Sequence, residues 1–109
     1  MDLVELERVL KQRHANPPPG SYSARLLADP ALAARKINEE AYELCAELTR
    51  PEVDAARTAE EAADLIFHVL AGLVGAGVAF SDVLDVLAAR RRGSGSDGQA
   101  TPEAAGEGA

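Results

Sequence analysis

The chain has one cysteine, no tryptophan, four aromatic residues (Tyr22, Tyr42, Phe67 and Phe80) and no long apolar run. Each scarcity excludes something. A single Cys45 closes no intrachain disulfide framework, and a small core residue is the expected role for it. No apolar stretch approaches the ~20 residues of a membrane span. The N-terminal "MDLVELERVLKQR" lacks the basic-then-apolar order of a signal peptide. The expectation is a soluble, cytoplasmic protein that meets no membrane. Basic residues are also in deficit, 11 against 18 acidic ones, for a net charge of −7. Segment 93–109 supplies Asp97, Glu103 and Glu107, which leaves −4 on residues 1–92. Such a body does not bind nucleic acid through a basic surface, although it accepts an anionic substrate if cations bridge the two. With so few aromatics the core must come from Leu, Val, Ile and Ala, a helical composition.

The last seventeen residues, "GSGSDGQATPEAAGEGA", hold five of the nine glycines and no large apolar side chain. They cannot bury enough surface to offset their ordering entropy, so 93–109 reads as a disordered tail. Residues 1–92 then form one small all-α domain. A chain of this size buries only about 60–65% of its unfolded surface, which suggests that oligomerisation completes the core.

Leu3, Leu6, Val9 and Leu10 recur at helical spacing and predict a helix over 2–14. "NPPPGSYS" ends it, and a short helical turn follows in "SARLLADP" (22–28). Asp29 as N-cap with Pro30 at the first helical position opens a second helix, 30–48. A break at "TRP" leads to a third over 51–75, stopped by Gly75 and Gly77. Ser81 and Asp82 cap a fourth, 82–91, which carries Arg90, Arg91 and Arg92 at the favourable end of its dipole. No segment reads as a strand.

The chemistry gathers in two acidic clusters, "KINEEAYELC" (36–45) and "EEAADLIFH" (60–68). At about 100° per residue, Ile37, Ala41, Leu44 and Leu48 form the apolar arc of 30–48. Lys36, Glu40, Glu43 and Glu47 form an adjacent stripe. In 51–75, Ala62, Leu65, Ile66, Val69 and Leu73 make the arc, and Glu61, Asp64 and His68 the stripe at its edge. Antiparallel packing through the two arcs would bring Glu40, Glu43, Glu61 and Asp64 to the rim of one groove. Like charges so placed repel, and a hard divalent cation such as Mg²⁺ reverses the sign of that interaction. The alternative is a pair of solvated faces held by i, i+4 charge pairs. The carboxylates' place beside the apolar arcs, in both helices, argues for the cation.

"RHANPPPGSYSARLL", "KINEEAYEL", "EEAADLIFHVL" and "GVAFSDVLDVLAAR" together resemble the phosphoribosyl-ATP pyrophosphatases of histidine biosynthesis, over about residues 3–91. That family belongs to the all-α, MazG-like nucleoside-triphosphate pyrophosphohydrolases. The resemblance implies a four-helix protomer assembling as a homodimer or higher homo-oligomer. It also implies Mg²⁺-dependent hydrolysis of phosphoribosyl-ATP to phosphoribosyl-AMP and pyrophosphate. Carried over by position, Glu40, Glu43, Glu61 and Asp64 are the metal ligands, and Glu39 or Glu60 accepts the proton of the attacking water. Lys36, and after it Arg25, holds phosphate. Tyr22 either stacks on a base or packs against helix 30–48, and His68 is either a substrate contact or a structural histidine. Phe67 departs from the family by replacing a tyrosine common before the histidine. Two other readings stand beside this one: a house-cleaning pyrophosphohydrolase of the same superfamily, and a non-catalytic helical dimerisation module.

Overall fold

The computed structural model describes residues 1–94 and, further on, the two-residue strands Glu103–Ala104 and Gly106–Glu107. The disordered tail expected over 93–109 otherwise lies outside the described residues. The chain is all-α, as its composition requires. The helices are α1 (Leu3–Ala15), α2 (Tyr22–Ala28), α3 (Pro30–Leu48), α4 (Ala55–Ala76) and α5 (Phe80–Ser94). The two strands, which sequence alone does not foresee, pair antiparallel as a minimal ladder with Glu103 opposite Glu107.

Side-chain caps set where the helices begin. Asp2 and Glu5 close a reciprocal capping box on α1, with bonds of 2.8 and 3.0 Å. Ser21 accepts from the Ala24 amide at α2, and Asp29 accepts from Leu32 ahead of Pro30 at α3. The fourth element starts later than position 51 because Asp54, not Pro51, satisfies its first turn, accepting from the Arg57 amide at 3.1 Å. It also runs through Gly75. A Cβ there would stand 2.7 Å from the Leu27 carbonyl oxygen, so Gly75 serves the close approach of α2 to α4 instead of ending the helix. Gly77, with φ of 77°, makes the left-handed cap. α5 exceeds the expected 82–91 at both ends, and Asp82 falls inside its first turn.

Residues 1–78 and 79–109 form two compact units. In the first, α3 and α4 make the most extensive pairing, and α1 and α2 pack across α4. Its deep core is Leu10, Leu26, Leu27, Ala33, Leu70, Ala71 and Val74. The apolar arcs expected to bury each other do so only in part. Leu48 is 55% exposed, and Ile66 and Val69 also face solvent, whereas Glu40, Glu47 and His68 are buried. The α3–α4 seam thus takes Glu40 and Glu47 from the acidic stripe together with Ile37, which packs against Gly72, while Leu48, Ile66 and Val69 at the edges of the arcs face outward. Cys45 turns outward with them, exposed and unpaired, which corrects its expected place in the core. In the second unit, α5 exposes Leu84, Val86 and Leu87. Among the described residues no single helix is long and apolar enough to cross a membrane.

Candidate metal centre

Two cross-helix meetings fix the register. Glu47 of α3 meets Arg57 of α4, and one turn further in, Glu43 meets Glu61, so the two helices run antiparallel. Between these stripes, one carboxylate oxygen from each of Glu40, Glu43 and Glu61 falls within 4.8 Å of the others. Glu40 is 8% exposed, Glu61 half-buried and Glu43 open to solvent. The Oε1 atoms of Glu40 and Glu61 are buried with no hydrogen-bond partner. A buried carboxylate oxygen left unpaired is unfavourable, because it has given up water without gaining a donor. Three converging carboxylates, two of which also carry a buried oxygen without a partner, fit a hard divalent cation, which takes oxygen ligands of this kind.

The electrostatics agree with the geometry. Partial burial raises the Glu61 carboxyl above its ordinary value, and its hydrogen bond to Glu43 with the charges of Glu43, Asp64 and Glu40 raises it further. Asp64 stands one turn beyond Glu61 on the same helix, exposed and outside the three-oxygen group. Its charge reaches Glu61, but its side chain does not join the cluster.

Other expected site residues surround this group. The Lys36 ammonium lies 3.0 Å from Glu39 and 3.8 Å from Glu40. The bond to Glu39 holds it above the usual lysine range, with the nearby Tyr22 and Glu40 adding. Glu39 therefore already serves Lys36, while Glu60 is exposed, next to Glu61 in α4. His68 sits in α4 with its Nδ1 2.7 Å from the Asp64 carbonyl. A carbonyl only accepts, so Nδ1 carries a proton, and Nε2 is hydrogen-bonded to the Tyr22 hydroxyl at 2.9 Å. Phe67 packs edge-on against the same ring. His68 thus ties α2 to the helix that bears Glu61. Tyr22 packs through its hydroxyl on α4, not on α3 as the packing alternative had it, and its ring carries the Arg25 guanidinium at 5.6 Å. Arg25 also lines a shallow cleft of about 440 Å³ with Ala28, Asp29, Leu32 and Arg35.

Sequence reasoning placed Glu47 on the α3 stripe without a role and passed over Arg57. Glu47 is 7% exposed, and its Oε2 accepts from both Nε (3.4 Å) and Nη2 (3.3 Å) of Arg57. The signal was present in the sequence. Glu47 is four residues beyond Glu43 and Arg57 four before Glu61, so opposite charges stand at matching ends of the two stripes.

Residues 3–91 match the family described as phosphoribosyl-ATP pyrophosphohydrolase. The chain is 41% identical over 93 residues to the phosphoribosyl-ATP pyrophosphatase of Caulobacter sp. (strain K31), covering 85% of each. Against the phosphoribosyl-ATP pyrophosphatase of Methanoculleus marisnigri it is 42% identical over 97 residues, covering 83% of this chain and 94% of that one. It is also 43% identical over 81 residues (74% of its own length) to the histidine biosynthesis bifunctional protein his7 of Schizosaccharomyces pombe, and spans only 18% of that longer protein. An all-α chain with converging carboxylates on two helices and a match over nearly all of its first 91 residues belongs to the phosphoribosyl-ATP pyrophosphohydrolase family.

Proposed function

We propose that this protein hydrolyses phosphoribosyl-ATP to phosphoribosyl-AMP and pyrophosphate, the second step of histidine biosynthesis, with Mg²⁺ held by Glu40, Glu43, Glu61 and Asp64. The observation that carries the reading is the three-oxygen cluster with its two buried, unpartnered Oε1 atoms. It lies in a chain whose relatives are named for that reaction. Asp64 joins the set by a side-chain rotation from the same face of α4. Bound there, Mg²⁺ supplies charge neutralisation on the phosphates and an acidified water.

The protein's own groups do the rest. Lys36 carries its ammonium at the edge of the cluster, where it has donors left for a phosphate oxygen beyond those given to Glu39 and Glu40. Tyr22 and Arg25 offer an aromatic face and a cation at the same end, and the Tyr22–His68 bond fixes their helix against α4. Glu39 and Glu60 are the proposed proton acceptors for the attacking water. Glu60 makes no ion pair among the described residues, so Glu60→Gln separates the two roles. The setting proposed is the cytoplasm, which suits an exposed unpaired Cys45. A homodimer or larger homo-oligomer is proposed as well, because Leu48, Ile66 and Val69 remain exposed on the two helices that carry the site.

The test is release of pyrophosphate from phosphoribosyl-ATP against a panel of ordinary nucleoside triphosphates, with and without Mg²⁺. Preference for phosphoribosyl-ATP and dependence on Mg²⁺ are expected. Preference for an ordinary triphosphate moves the protein to a house-cleaning role, and no turnover of any nucleotide leaves the helical dimerisation module.

A further inference from the structure

The α3–α4 seam is capped at each end by a cation. At one end Lys36 stands against Glu39 and Glu40. At the other, Arg57 is fixed by Glu47, whose Oε1 is in turn 3.5 Å from Arg50. Between them lie the carboxylates of Glu40, Glu43 and Glu61. The two ends differ in what adjoins them. Tyr22, Arg25 and the cleft lined by Leu32 and Arg35 lie at the Lys36 end, and they offer the aromatic and apolar surface that a nucleoside needs. The Arg57 end carries the ion pairs of Glu47 with Arg57 and Arg50, and among the described residues no aromatic ring stacks on either arginine. A nucleotide laid along the seam with its nucleoside at Tyr22 therefore points its terminal phosphates toward Arg57.

We propose that Arg57, held in place by Glu47, binds the pyrophosphate that leaves, at the end of the carboxylate seam opposite Lys36. The inference rests on the pyrophosphohydrolase reading of the seam. Glu47 spends one oxygen on Nε and Nη2 of Arg57, which leaves Nη1 uncommitted on a side chain 58% exposed. An arginine so anchored loses little further freedom on meeting a phosphate. Four residues of helix, about 6 Å of rise, separate Arg57 from Glu61, which places a guanidinium next to the cluster and not within it. Glu61 adds to the charges, led by Glu47, that hold the Arg57 guanidinium firmly protonated. Glu47 is the positioning residue of this pair and Arg57 the phosphate contact.

The test is a calorimetric titration of pyrophosphate, and separately of AMP, into the intact protein in Mg²⁺ buffer. Arg57→Gln is expected to weaken pyrophosphate binding about tenfold to a hundredfold, the loss of one charge-assisted hydrogen bond, with AMP binding unchanged. Arg57→Lys recovers part of the loss because the charge remains. The single variant leaves the buried Glu47 with Arg50 alone, so the neutral pair Glu47→Gln/Arg57→Gln is the decisive protein, having no buried charge at this end. If the pair is only structural, the double variant regains wild-type pyrophosphate binding, which overturns the proposal. Equal weakening toward pyrophosphate and AMP also overturns it, since that reports collapse of the whole seam. Persistent, selective loss in the double variant supports it. A wild type that does not turn over phosphoribosyl-ATP defeats the underlying reading instead, so the two failures are distinguishable.

Discussion

A carboxylate half-buried among other carboxylates favours its proton, and Glu61 is in that position. Its folded-state value is raised, by burial first and then by Glu43 and its neighbours. Its contribution to stability is therefore fully present below the ordinary value near 4.5 and is lost as pH rises through the raised value. In EDTA the melting temperature should slope downward above about pH 4.5 from this group, and Mg²⁺ should raise it more at pH 8 than at pH 5. A Mg²⁺ increment that is the same at both pH values would remove Glu61 from the cation site. Glu61→Gln and Glu40→Gln should each lower turnover by more than about a hundredfold, beyond what loss of an outer-shell partner costs, with helical circular dichroism intact. Glu61→Gln should also flatten the EDTA slope. Full activity in either variant ends the metal-site argument. Asp64 follows a different logic, because its exposure means that its removal costs the metal-free fold little while still weakening Mg²⁺ binding.

At the scale of elements, the site depends on how α2 is hung on α4. Two features do this: the Tyr22–His68 bond, and the bare Cα of Gly75 beneath the Leu27 carbonyl. Gly75→Ala puts a methyl 2.7 Å from that oxygen, which is backbone and cannot rotate aside. The expected result is a loss of about 1–3 kcal/mol in urea unfolding and a rise in KM for phosphoribosyl-ATP larger than any fall in kcat, since α2 carries Tyr22 and Arg25. An unchanged KM would show that α2 does not meet the substrate. Helix identities were legible in advance because α3 announces itself with Asp29 and Pro30 and ends at Thr49, as spacing and capping require. The start of α4 was not legible. Pro51 and Asp54 both satisfy the rules for an N-terminus, and only the fold shows that Asp54 makes the bond.

For the whole molecule, the open matter is what covers the outward arcs. Leu48, Ile66 and Val69 are too apolar to be indifferent to water, and burying such side chains is worth roughly 1.5–3 kcal/mol each. If the proposed homo-oligomer forms through these side chains, Leu48→Asp with Ile66→Asp should lower the mass seen by light scattering to that of a single chain, and an unchanged mass would exclude them from its interface. Helical spacing alone put the apolar arcs and acidic stripes on their faces, and of the four carboxylates it singled out, Glu40, Glu43 and Glu61 come together while Asp64 stays outside. Which face turned inward was decided only by tertiary structure. Helix periodicity fixes the angle between side chains on one helix but says nothing about how the helix is rotated against its neighbour. Here α2 packs on the C-terminal half of α4, where Tyr22 meets His68 and Leu27 meets Gly75, while the N-terminal half meets α3 through Glu61 and Arg57, so Glu40, Glu47 and His68 are buried and Leu48 and Ile66 are exposed. Arg57 gains its place from that same rotation. In the sequence it is one arginine of nine, and in the fold it closes the end of the seam because Glu47 reaches across to it.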